Sequence, residues 1–496
     1  MNIRLTFSLV KILLIKSLYL VSFFNQNVQA QEILTLNEKD DGYRGIWYFI
    51  GNINNEYVHK YSGGLGTYPA NHYPFSIYSE KVNKTFFCYG GSSKDLKPSL
   101  LHEVAFFDHK NKIVSRPTIV LNKNTDDAHD NPVISLDKEG YIWIFSTSHG
   151  ISRPSFIHKS VKPYDIDTFE LIQATCMKDG KQVPFNNFSY LQIYYDNGNG
   201  FFGFLTHYDV GVLKYSKTKP RRTISYITSK DGVDWSEWID IGVIEEGHYQ
   251  SSGIFRLKNG KLKLATAFNY HPNMEIEAGL DYRSNLYYIE TTDFGKSWQN
   301  GIGDSISLPL KEIENEAIIL NTQKEKKLAY INDMAFDDKG KPMISYISSK
   351  GPVPGPQNGP YEFQSIYFNG KNWQRSKVKE VDHNYDYGSL YQDKKKWKLL
   401  APFGNGPFQY NTGGEMEEWE FNQRNSNWKQ KRILTRNSTY NHSYPRKAIN
   451  YNKNFYAFWA DGHPRISSTS HLYFSNKKGQ VFQLPHQFSG NEFKIN

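Results

Sequence analysis

Short apolar runs recur along this chain, each closed by a Gly, Asn or Asp turn. Residues 141–145, 200–205, 262–268, 286–289, 343–347, 397–400 and 455–459 read as strands on that pattern. Helical periodicity is nearly absent after the first thirty residues, so an all-β fold is predicted. Two turn patterns repeat. Leu136-Asp137-Lys138-Glu139-Gly140 leads into Ser146-Thr147-Ser148-His149-Gly150, and Phe336-Asp337-Asp338-Lys339-Gly340 leads into Ile347-Ser348-Ser349-Lys350-Gly351. Ser229-Lys230-Asp231-Gly232-Val233-Asp234-Trp235 is echoed by Thr291-Thr292-Asp293-Phe294-Gly295-Lys296-Ser297-Trp298, which fits S/T-x-D-x-G-x-x-W. In that turn Asp ties down backbone amides and Trp packs between strands, so it specifies architecture and not chemistry. Such repeats at strand-pair spacing imply a radial array of small sheets, a β-propeller. At about 60–70 residues per blade the fold is a seven-bladed β-propeller, with stacked β-sandwiches as the alternative.

Residues 1–30 read as a secretory signal, with Arg4 in front, an apolar core ending at Phe24, and Val28-Gln29-Ala30 as the cleavage site. Lys11 and Lys16 interrupt the apolar run, which argues against a membrane-spanning helix. The expectation is a secreted or periplasmic monomer, cleaved near Ala30, with one propeller domain over 31–496 and no membrane partner. Cys88 and Cys176 both neighbour aromatic or apolar residues. One disulfide or two buried thiols remain open, and neither a disulfide framework nor a Cys-type zinc site fits. No cofactor or metal-ligand set is legible; a structural ion would have unknown ligands.

The net charge of +9 suits a polyanionic partner. Lys and Arg are scattered without a basic block, which together with export disfavours nucleic acid and leaves an anionic membrane or an acidic polysaccharide as the kinds of partner this charge suits. Aromatic residues make up 16% of the chain, and flat rings with a polar handle suit sugars as well as a large β core.

Two histidines bracket one hairpin-sized segment. His129 lies in the acidic loop Thr125-Asp126-Asp127-Ala128-His129-Asp130-Asn131-Pro132, and His149 lies where the 141–145 strand runs out into small residues. Imidazole is suited to proton transfer near neutral pH.

The strings Asp41-Gly-Tyr-Arg-Gly-Ile-Trp47, Lys60-Tyr-Ser-Gly-Gly-Leu-Gly66, Asp126 to Pro132, Arg153-Pro154, Lys162-Pro-Tyr-Asp165 and Gly247-His-Tyr-Gln250 resemble the BNR-4 propeller group. That group contains secreted ulvan lyases and related α-L-rhamnosidases that cleave rhamnose from glucuronic acid. The resemblance covers nearly the whole mature chain. It implies a seven-bladed propeller whose canyon holds two His, Tyr residues and an Arg.

A lyase acting on a 4-linked uronate must neutralise the carboxylate, remove the C5 proton and protonate the departing O4. The resemblance makes His129 and His149 catalytic. The plainer readings are a turn histidine bonded to Asp126, Asp127 or Asp130, and a strand-end histidine that binds only the carboxylate. Strand alternation puts Tyr190, Gln192 and Tyr194 on one face. Tyr190 is then the catalytic phenol and Tyr194 a reserve that contacts substrate, against core aromatics. Tyr249 matches another catalytic position, whereas His248 faces the other way and packs. For the carboxylate, Arg222 is placed best, with His207 as the second candidate in a segment that carries an insertion. A solvated surface arginine is the plain alternative.

The expected function is therefore a lyase that cleaves ulvan, a uronate-containing sulfated polysaccharide, by β-elimination. The alternatives are a rhamnosidase using His59 or His72, and a non-catalytic glycan-binding propeller. His442 with Arg446, and His463 with Arg465, would line the canyon or close the last blade. Residues 415–420 read as a solvated or blade-edge acidic face.

Overall fold

The apolar runs become strands of antiparallel meanders that follow one another in chain order. Pro132–Leu136, Ile142–Ser146, Phe156–Ser160 and Phe169–Leu171 form one such sheet. Leu328–Phe336, Pro342–Ser349, Tyr361–Phe368 and Trp373–Val381 form another, and Ser389–Asp393, Lys396–Gly404, Glu415–Asn422 and Asn427–Ile433 a third. Central strands such as Ile142–Ser146, Pro342–Ser349 and Phe455–Gly462 are buried at every residue. That is the pattern of a sheet covered on both faces by neighbouring sheets, and it explains why these runs are continuous rather than alternating.

The computed structural model describes residues 35–65, 71–94, 99–213, 219–273, 281–393, 396–422 and 426–495. Among them there is no α-helix, and the architecture is all-β and propeller-like. From Leu36 onward they lie in one unit, Leu36–Asn496. The expected signal segment, 1–30, falls outside the described residues.

The first and last meanders meet. Ser76–Ser79 pairs in parallel with Asn441–Asn452 at Ile77 and Ile449, and Glu492–Lys494 pairs with Ile113–Ser115. Phenylalanines fill that junction: Phe87 lies 5.4 Å from Phe455 and 5.3 Å from Phe458, and Phe107 lies 5.3 Å from Phe474. Each buried ring contributes about 1.5–3 kcal/mol.

The repeated Asp turns do what their sequence implies. Asp231 Oδ1 accepts from the Val233 and Asp234 amides at 2.9 and 3.0 Å, and Asp293 Oδ1 accepts from Ser297 at 2.9 Å. Asp137 and Asp337 hold their turns through amides in the same way. Cys88 and Cys176 are free and buried.

One expectation is corrected. Residues 415–420 are not a solvated edge, because Glu415–Asn422 is the third strand of its meander. Glu418 is buried between Lys398 at 3.0 Å and Arg432 at 2.8 Å, and Glu415 accepts from Ser438. Partners on neighbouring strands make burial of the acidic row tolerable.

Candidate active site

The hairpin register brings the two histidines together. Pro132 pairs with Ser146, so His129, three residues before one strand, meets His149, three residues after the other. Asp127 caps the short 3-10 turn Ala128–Asp130 by accepting the His129 amide at 3.1 Å. The same carboxylate also takes Nδ1 of both rings, His129 at 2.6 Å and His149 at 2.7 Å. The rings stack with centroids 4.0 Å apart at 18°.

Arg153 closes the back of this arrangement, binding Asp127 at 2.8 Å and Asp130 at 2.8 and 2.9 Å. Burial pushes the Asp127 carboxyl up, but the two imidazoles outweigh it and hold it well below the usual carboxylate range. An ionised Asp127 can only accept, so each ring turns an Nδ1–H toward it and directs Nε2 away from it. Burial, helped by the neighbouring His129, lowers the His149 pKa, so this imidazole stays neutral. The His149 side chain is 31% exposed and that of His129 only 3%, so His149 is the ring that reaches the surface. His129 Nε2 instead lies 3.2 Å from the Tyr61 hydroxyl.

Tyr190 joins them through a backbone irregularity. The register of Ser189–Asp196 shifts between Ser189 and Gln192, and Tyr190 has φ of 54°, a left-handed value that costs a non-glycine residue roughly 1–3 kcal/mol. Its ring sits 6.0 Å from His129, 6.2 Å from His149 and 6.0 Å from Tyr249. The Tyr208 hydroxyl donates to the Tyr190 oxygen at 3.0 Å, leaving the Tyr190 proton available. Burial and the phenols of Tyr208 and Tyr249 raise the Tyr190 pKa well above that of a free phenol.

Arg222 faces Tyr208 across the strand pair and lies 5.6 Å over its ring. Its backbone runs against Gly247, where a Cβ would fall 2.8 Å from Arg222 atoms, so glycine is required for this approach. Burial disfavours the Arg222 charge, but Tyr249, Tyr208 and Tyr190 outweigh that effect and keep it protonated. Its Nε and Nη1 are buried and have no hydrogen-bond partner among the described residues. Buried unsatisfied donors of this kind call for an anionic ligand.

Two residues expected at the site are placed elsewhere. The shift at Tyr190 breaks the expected common face: Tyr194 bonds Ser252 at 3.0 Å, away from the histidines. His207 is held by Asp240 at 2.8 Å and Asp209 at 3.2 Å and stacks on Trp238. Burial opposes its charge, but the two carboxylates raise its pKa to about 9. His248 packs as expected, bonded to Ile244 and Asn269. His72 is buried behind His129, with Nε2 2.9 Å from the His129 carbonyl.

Other contributors were not singled out from the sequence. Tyr61 stacks on Tyr385 at 4.3 Å, and the Arg283 guanidinium lies 4.8 Å from Tyr249 and 4.4 Å from Tyr330. Asp127, His129 and His149 offer donor atoms within 4.8 Å of one another, a set that could hold a metal ion. A cation there would have to displace two short hydrogen bonds beside Arg153, so the arrangement suits proton transfer better. A cavity of about 1090 Å³ lies elsewhere, between the Asp231 and Asp293 turns, and none of these histidines lines it.

An ulvan lyase of Alteromonas sp. (strain LOR) is 24% identical over 343 residues, 61% of this chain and 63% of that relative. The chain thus spans less than two thirds of that relative's length. A solved ulvan lyase of polysaccharide lyase family PL25 shares the fold at a TM-score of 0.64 and 14% identity, covering 90% of this chain and 96% of that one. The same lyase fold bound to -[GlcA(1-4)Rha3S]- matches at 0.64 and 15% identity over the same shares. The polysaccharide lyase Uly1 matches at 0.58 and 9% identity, over 89% of this chain and all of its own. The model described as "BNR repeat-containing family member" matches residues 104–381, more than half of the chain, and the protein belongs to that family.

Proposed function

We propose that this protein is a polysaccharide lyase that cleaves a 4-linked uronate in an ulvan-type sulfated polysaccharide by β-elimination. One observation carries the reading: a single ionised carboxylate, Asp127, engages Nδ1 of two stacked imidazoles beside a buried phenol and an arginine with unsatisfied donors. Arg222 binds the uronate carboxylate and makes the C5 proton acidic. His149 Nε2, the exposed base, removes that proton. The C5–H electrons form the C4=C5 double bond, the C4–O4 bond breaks, and Tyr190 protonates O4. Asp127 stabilises the His149 imidazolium that forms, His129 shares that carboxylate, and Tyr249 lines the carboxylate side with Arg222.

The similarity to an ulvan lyase, and the GlcA(1-4)Rha3S bound to a protein of the same fold, support this substrate class. The finer architecture that goes with the reading is a seven-bladed propeller, exported after loss of residues 1–30 and acting as a monomer. The hydrolase alternative would need His72 or His59 at the reacting centre. His72 is fully buried and bonded to the His129 carbonyl, and His59 stacks on Phe49.

Incubation with ulvan, read for ultraviolet absorbance and free rhamnose together, tests the reading. An ultraviolet-absorbing unsaturated uronate without free rhamnose is expected. Free rhamnose without absorbance would identify a hydrolase, and binding with neither product a non-catalytic module.

A further inference from the structure

Arg465 is held in the way an anion receptor is held. Its Nε donates to Asn411 Oδ1 at 2.7 Å, and Asn411 donates to the Tyr57 carbonyl at 2.9 Å. The guanidinium lies 5.8 Å from the Tyr57 ring and 6.0 Å from the Phe408 ring. Neither of its Nη groups has a hydrogen-bond or ion-pair partner among the described residues. Arg153, Arg256 and Arg432 differ, each reaching a carboxylate at 2.8 Å. The carboxylate of Glu56 is engaged by the Tyr57 phenol.

His463 supplies a second donor. Its ring lies 4.1 Å from Phe408, and its Nδ1 accepts the Arg465 amide at 3.1 Å, which puts its proton on Nε2. Tyr440 flanks it at 6.1 Å, and Phe408, Tyr440, His463 and Arg465 are all half-buried, with surface left to bind. The patch adjoins the proposed active site. Thr412, next to Asn411, accepts the Ser62 amide at 3.2 Å, and Ser62 follows Tyr61, which touches His129.

We propose that Arg465 and His463, with Phe408 and Tyr440 as stacking faces, form a second subsite that binds an oxyanion on a sugar beyond the cleaved linkage. The inference rests on the lyase reading for the identity of its ligand. A guanidinium fork fixed through Nε presents its remaining donors to a sulfate ester or a carboxylate, and the rings receive the sugar's apolar face. The chain's net positive charge, which persists without the three basic residues of 1–30, favours such a polymer at long range.

Isothermal titration with ulvan oligosaccharides, native and chemically desulfated, tests this in a His149→Ala background that prevents turnover. Arg465→Gln should weaken binding of the native oligosaccharides by about tenfold or more. Arg256→Gln, far out on a surface pair, should leave binding unchanged. A difference that vanishes on desulfation identifies the anion as sulfate, and one that persists identifies the uronate; both support the subsite. Equal affinities for Arg465→Gln and its parent, with the same unfolding midpoint, would overturn it. The two readings fail separately. Arg465-dependent binding by a wild type that forms no unsaturated product would sink the lyase and keep the subsite. Product formation with unchanged Arg465→Gln binding would do the reverse.

Discussion

Asp127 and Asp293 both sit at the end of a strand hairpin, and both accept a backbone amide of their own turn. Asp293 gives its remaining capacity to the Ser297 hydroxyl and Thr291, so its whole effect is local. Asp127 gives its remaining capacity to two imidazoles and Arg153. The same turn device thus fixes backbone in one place and ring tautomers in the other. What separates the two aspartates is their side-chain partners.

The contrast is broken most severely by removing the rings. His149→Ala is expected to lower the rate of ulvan depolymerisation by about a thousandfold, within the range of a lost general base. His129→Ala should come close to it, and the double variant should be little worse than either, because the rings share one carboxylate. Steady-state rates on the four proteins check this. Arg222→Gln comes next, at about a hundredfold or more, since the carboxylate would then be left unneutralised.

Asp293→Ala sharpens the other side of the comparison. Unfolding by heat should show a loss of about 1–2 kcal/mol, with the proposed lyase rate of the folded protein unchanged. A smaller effect is expected at His207. Its folded pKa of about 9 lies above the unfolded value, so its contribution is complete below about pH 6.5 and is lost as pH rises through 9. Stability of the wild type should therefore fall between those limits by more than that of His207→Gln, measured by denaturant unfolding at each pH.

Much of this was legible in the chain. Continuous apolar runs and Asp turns marked the meanders, and the loop around His129 with the strand end at His149 marked the hairpin whose register unites them. Tyr61, Tyr208 and Tyr385 were hidden because the chain has 35 tyrosines and these meet the site only through long-range contacts. Tyr194 was misplaced because strand alternation assumes a regular ladder, and the positive φ at Tyr190 breaks it. His207 looked like a cation for substrate, yet Asp209 on its own strand and Asp240 two strands away already neutralise it. Residues 415–420 looked solvated for the same reason: their Lys398 and Arg432 partners are distant in sequence.

The central claim is that one carboxylate sets both imidazoles for β-elimination, and Asp127→Asn tests it most directly. The amide keeps the shape of the side chain but no longer fixes the Nδ1–H tautomer. Initial rates of ultraviolet-absorbing product from ulvan should fall by about a thousandfold or more in a protein that remains folded. A rate equal to that of the wild type would contradict the role of Asp127, and with it the assignment of the histidine pair.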